Sequence, residues 1–137
     1  MTSELSAFLD AFERGTLPKS EWTHAAHLKM ACLYLAQLPA DQARDRIRHG
    51  IRHYNECQGV ANSTTGGYHE TLTVFWCRMV GRFLETTPPG EALHVTISRL
   101  LETFAGNQGM YKEYWTFDVV KSSEARAVWM EPDRKPI

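Results

Sequence analysis

The stretch WTHAAHLKMACLYLAQ, Trp22–Gln37, decides the fold class. Leu28, Ala31, Leu35 and Leu38 recur at the spacing of one helix face, Ser20 or Thr23 can cap the start, and Pro39 closes the end. His24 stands one turn before Leu28 on that apolar stripe, and His27 borders it.

The same period extends in both directions. Upstream, Leu5, Phe8, Leu9 and Phe12 share a face in Ser3–Arg14, with Ser3 as N-cap and Gly15 as stop. Downstream, Ala40–Cys57 turns Ala43, Ile47, Ile51 and Tyr54 inward. A polar, glycine-rich loop at Val60–Gly67 leads into a predicted helix over Tyr68–Glu85, whose stripe is His69, Leu72, Trp76, Met79 and Phe83. Pro88, Pro89 and Gly90 interrupt the chain before a fifth helix over Glu91–Phe104. Beyond it lie an aromatic patch (Tyr111, Tyr114, Trp115, Phe117), a short helix from Ser122 or Ser123 to about Met130, and an extended tail. Period-two alternation is confined to a short piece at Thr116–Val120. The expectation is an all-α, compact, single-domain bundle of about five helices over residues 1–137, with an irregular C-terminal tail.

Charge narrows the function classes. Fifteen Lys+Arg against sixteen Asp+Glu give a formal net charge of -1, without the basic excess of a dedicated nucleic-acid binder. The basic run Arg44–His53 is interrupted by Asp45 and spreads around its helix, which reads as a solvated face. No apolar run reaches the ~20 residues of a membrane span. Glu4, Asp10 and Glu13 stand where a signal peptide would need a basic end and an apolar core. Cys32, Cys57 and Cys77 are odd in number and form no C-x-x-C pair, as expected of reduced thiols in a cytoplasmic protein.

Two constellations carry candidate chemistry. His24 and His27, three apart on a helix, are surface neighbours that can share a metal ion or a proton. Tyr68, His69 and Glu70 follow Gly66 and Gly67, where a helix start presents free N–H groups suited to an anionic ligand group. Both constellations fall in first turns. If those ends meet, His24, His27 and His69 form a set of three nitrogens for one divalent metal ion, zinc or iron. Glu70 joins them as a ligand or general base, and His69 is the proton carrier in a metal-free alternative. Glu21-x-x-His24 and Glu91-x-x-His94 match the spacing of di-iron bundles, yet both glutamates sit at helix starts, where that motif does not normally live.

The motifs T-H-x-x-H-L-x-x-A-x-x-Y-L (Thr23–Leu35) and G-Y-H-E-T-L-T (Gly67–Thr73), with the segments Ser122–Arg126 and Glu131–Asp133, resemble those of a family of small bacterial helical proteins without an established activity. The resemblance spans nearly the whole chain. It implies that the two histidine motifs belong to one site. Trp22, Tyr68 and Thr73 are expected to shape a ligand pocket there. It also makes Arg126 and Asp133 candidates for an anion contact or a salt bridge. The resulting expectation is a His/Glu site between the second and fourth helices that binds a metal ion or a small molecule, as in a metal-dependent enzyme. The competing reading is a non-catalytic interaction module in which the histidines are structural and a surface such as Tyr111–Phe117 carries the function.

Overall fold

The structure, a computed structural model, describes residues Met1–Ile137. It is all-helical, with α1 Ser3–Arg14, α2 His24–Leu35, α3 Ala40–Cys57, α4 Glu70–Glu85, α5 Leu93–Phe104 and α6 Ser123–Ala127. Two 3₁₀ turns, Lys19–Glu21 and Gln108–Glu113, complete the elements. No strand forms at Thr116–Val120.

The second helix is the hub. Ala26, Leu28, Met30, Ala31, Cys32, Leu33 and Tyr34 are all buried, so α2 is covered nearly all round, not along one stripe. It packs against α3, α4 and α5. Thr23 caps it by accepting a hydrogen bond from the Ala26 N–H (3.2 Å). The outer helices are conventionally amphipathic. α3 buries Ala43, Ile47 and Tyr54, and Tyr54 donates its hydroxyl to the Leu17 carbonyl (2.8 Å). α1 buries Leu5 and Phe12 and ends at Gly15, whose φ of 73° is the left-handed cap that glycine accepts without strain.

A second apolar cluster lies under the C-terminal third. Phe75 of α4 packs with Tyr114, Trp115, Val119 and Ala125. Two residues of the aromatic patch are therefore buried plugs, while Phe117 stays exposed. The C-terminal tail is irregular as expected, but it is tied down. Thr71 Oγ1 donates to the Val128 carbonyl (2.8 Å) and accepts from the Met130 N–H (3.1 Å). Trp115 donates its indole N–H to the Met130 carbonyl (3.1 Å), and Asp133 accepts from both the N–H and hydroxyl of Thr116 (2.8 and 2.6 Å).

Candidate functional site

The first turns of α2 and α4 face a common cavity of about 680 Å³. His24, His27 and Leu28 come from α2, Ile47 and Ile51 from α3, and Leu72, Thr73 and Trp76 from α4. Trp22, Tyr68 and His69 line it from the segments entering those helices. The remaining wall is the 3₁₀ turn, through Gln108, Gly109, Tyr111 and Lys112, with Val120 behind it. Its volume lies within the ~300–1,000 Å³ range of small-molecule sites.

The three histidines have different roles within this wall. His69 is the N-cap of α4, so the helix begins at Glu70 and not at Tyr68 as its pattern suggested. Its Nδ1 accepts from the Leu72 N–H (3.2 Å), and its Nε2 lies 2.7 Å from the Val119 carbonyl. A carbonyl only accepts, so the proton is on Nε2 and both nitrogens are engaged. Burial lowers the pKa of His69; the Val119 carbonyl opposes the shift and the Arg126 charge adds to it.

His27 is bound on one side only. Its Nδ1 donates to the Thr23 carbonyl at 2.7 Å, which leaves Nε2 an unprotonated acceptor with no hydrogen bond from the protein. The ring stacks on Trp22, centroids 3.8 Å apart, and Trp22 in turn packs against Phe12 and Tyr54. Burial lowers the His27 pKa to about 4, opposed by the Thr23 carbonyl and assisted by nearby His24. His24 packs against Trp76 in a T-shaped pair, centroids 4.7 Å apart. Its Nε2 is buried and has no hydrogen-bond partner, a condition shared by only one other side-chain nitrogen, Nε of Arg44. Burial lowers the His24 pKa too, with the Phe104 backbone opposing.

This arrangement does not supply the expected three-histidine metal set. No group of three or more His, Cys, Asp or Glu side chains stands together in a way that could hold a metal ion. Ligation by His69 would also require giving up its hydrogen bond to Leu72 or Val119. The di-iron spacing leads nowhere, because Glu91 is paired with Arg99 (2.8 Å) and His94 is exposed.

Glu70 faces α3 and does not line the cavity. Arg48 grips its carboxylate with two bonds, Nε to Oε1 (3.0 Å) and Nη2 to Oε2 (2.6 Å), and Tyr68 donates its hydroxyl to Oε1 (2.6 Å). Burial alone would raise the Glu70 pKa. The hydrogen bonds from Arg48 and Tyr68, with the charges of Arg48 and Arg52, outweigh it and lower the value. A carboxylate so held is a joint between helices, not a free general base. Arg52 lies over the Tyr68 ring at 4.5 Å. The basic face of α3 is thus partly an interhelical contact and only partly solvated.

Arg126 and the glycine loop also have internal roles. Arg126 donates to the carbonyls of Gly67 (2.9 Å), Tyr68 (3.4 Å) and Val120 (3.2 Å), tying the entry of α4 to the Val119–Val120 segment. In the loop, the N–H groups of Thr65 and Gly66 go to Ser63 Oγ and that of Tyr68 to Asn62 Oδ1, so these donors are not available to an anion. Gly67 is required here. At its φ of 77° a Cβ would lie 2.5 Å from the Ala61 carbonyl oxygen. Thr73 lines the cavity and donates its own hydroxyl to the His69 carbonyl one turn back (2.7 Å).

The 3₁₀ turn, with Gln108 and Lys112, was not expected from the sequence, and Tyr111 was expected only as part of the aromatic patch. The aromatic patch was the signal available, since Tyr111 begins it. Comparison with known proteins adds no assignment: no protein-family model, curated protein or solved structure matches the chain.

Proposed function

We propose that the cavity between α2, α3 and α4 binds a small organic molecule with a largely apolar body, held at one end by His27. The observation that carries this reading is the half-engaged His27 imidazole in a wall of aromatic and aliphatic side chains. Its Nε2 offers a neutral acceptor to a hydroxyl or N–H on the ligand. The lowered pKa supports an acceptor more than a base, because the ring stays neutral throughout the physiological range. His24 supports the same reading. An unpartnered buried nitrogen costs about 1–3 kcal/mol, and Nε2 of His24 is one. A bound group that displaces the Trp76 ring would give it a partner.

The work takes place, on this reading, in the cytoplasm. All three cysteines are free, and Cys32 and Cys77 are buried with their pKa values pushed up to about 11 and 12. No helix is long and apolar enough to cross a membrane.

The test uses N-phenyl-1-naphthylamine, a neutral aromatic amine that fluoresces in apolar surroundings. Trp22 and Trp76 stand in the wall as energy donors. Saturable one-to-one binding is expected in the wild-type protein and not in Leu72→Trp, which sets an indole in the space the probe would take. Far-UV circular dichroism checks that the variant folds. No saturable binding, or equal binding in both proteins, would overturn the proposal and favour an interaction module with structural histidines.

A further inference from the structure

The charge of the cavity wall is lopsided. Among all the residues that line it, Lys112 is the only one with a formal charge at neutral pH, and no aspartate or glutamate is present. His24 and His27 add none, since burial keeps both rings neutral. Glu70, which follows the lining residue His69 in sequence, is turned toward Arg48.

Lys112 is also unpaired. None of the five ion pairs in the protein includes it. Its sequence neighbour Glu113 is paired instead with Lys135 (3.2 Å), so that carboxylate does not neutralise Lys112. The Lys112 side chain is exposed at the rim and folds back along its own turn. Its Nζ lies 4.0 Å from the point a Gly109 Cβ would occupy, and Gly109 itself lines the cavity. An ammonium at the mouth of an acid-free, mostly apolar cavity attracts one class of ligand above others.

We infer that the ligand is a monoanion with an apolar, ring-bearing body, its charged group at Lys112 in the mouth and its body among the Trp22, Tyr68, Trp76 and Tyr111 rings. This inference rests on the proposed ligand site and specifies what enters it. A carboxylate, sulfonate or sulfate end would satisfy Lys112 equally, because each offers acceptor oxygens to an ammonium. The distal end needs a donor for His27 Nε2. A dianion is disfavoured, since the second charge would have no cation in the wall.

Two probes share one skeleton and differ in charge. 8-Anilinonaphthalene-1-sulfonate carries the anion, and N-phenyl-1-naphthylamine lacks it. Each is titrated into the wild-type protein, Lys112→Met and Leu72→Trp. The expected result is that Lys112→Met weakens the sulfonate roughly fivefold, as loss of a rim charge pair would, and leaves the neutral probe unchanged. Leu72→Trp should remove both. Added salt should weaken the sulfonate alone. If neither probe binds the wild type, the ligand site itself fails and this inference with it. If the neutral probe binds and the sulfonate is indifferent to Lys112→Met, the site stands and the anion assignment is overturned. Sulfonate binding that survives Leu72→Trp lies outside the cavity and overturns the assignment as well.

Discussion

Replacing His69 by alanine tests how the entry of α4 is built. The substitution removes two bonds at once. Loss of the Nδ1 cap frees the Leu72 N–H, which costs about 1 kcal/mol for a typical N-cap. Loss of the 2.7 Å bond from Nε2 leaves the Val119 carbonyl without its donor, about 1–2 kcal/mol for a buried group. The residue is only 8% exposed, so removal of the ring also leaves a void. The sum is a destabilisation of about 2–4 kcal/mol. His69→Asn provides the internal control. Asparagine is a good N-cap but is too short to reach Val119, so it should recover about 1 kcal/mol of the loss. Urea unfolding followed by far-UV circular dichroism, at about pH 8 where the histidines are neutral in both states, measures both variants. A His69→Ala protein within about 0.5 kcal/mol of wild type, the ordinary range of a surface change, would refute the assignment of His69 as a structural residue.

Three further outcomes follow from the same geometry. Glu70→Gln should cost about 1–3 kcal/mol, because Arg48 and Tyr68 lose their charged partner; N-phenyl-1-naphthylamine binding should stay within twofold of wild type, since Glu70 does not line the cavity. His24→Leu should be neutral or stabilising in urea unfolding, as it deletes an unpartnered buried nitrogen, and should alter probe binding. Stability should fall with acid. His24, His27 and His69 have folded-state pKa values below the ordinary histidine value, so the unfolded chain binds more protons as pH drops below about 6.5. The loss develops down to about 4, where the folded His27 also takes its proton. Urea midpoints across that range should decline, and less steeply in His27→Phe; flat midpoints would contradict the burial of these rings in neutral form.

Local sequence signals transmitted the fold well and the site in part. α3 and the end of α1 fall where periodicity and the Pro39 and Gly15 boundaries place them, while the N-cap of α1 is Thr2, which accepts from the Leu5 N–H, and not Ser3. The start of α4 was displaced because imidazole is an uncommon N-cap, and the apolar pattern carries no sign of Nδ1 accepting from Leu72. α2 misled in another way. Four stripe positions suggested one buried face, while Met30, Cys32 and Leu33 on its other faces are buried as well.

The pairing of His24 with His27 was legible because three-residue spacing is a local property. The division of labour among the histidines was not. It depends on Val119, fifty residues from His69, and on the Thr23 carbonyl that fixes the His27 tautomer. Glu70 looked available because its partner Arg48 lies twenty-two residues away in a run that reads as solvated. The cavity's fourth wall comes from a 3₁₀ turn, too short to leave a periodic signal.

On the proposed function, His24 and His27 belong to a ligand site while His69 belongs to the fold. Long-range proton–nitrogen NMR of the imidazole nitrogens, recorded with and without saturating N-phenyl-1-naphthylamine, tests it directly. His27 should carry its proton on Nδ1 and His69 on Nε2. Ligand should shift the His24 and His27 nitrogens and leave those of His69 in place. Unmoved His24 and His27 resonances in a protein that binds the probe would contradict it.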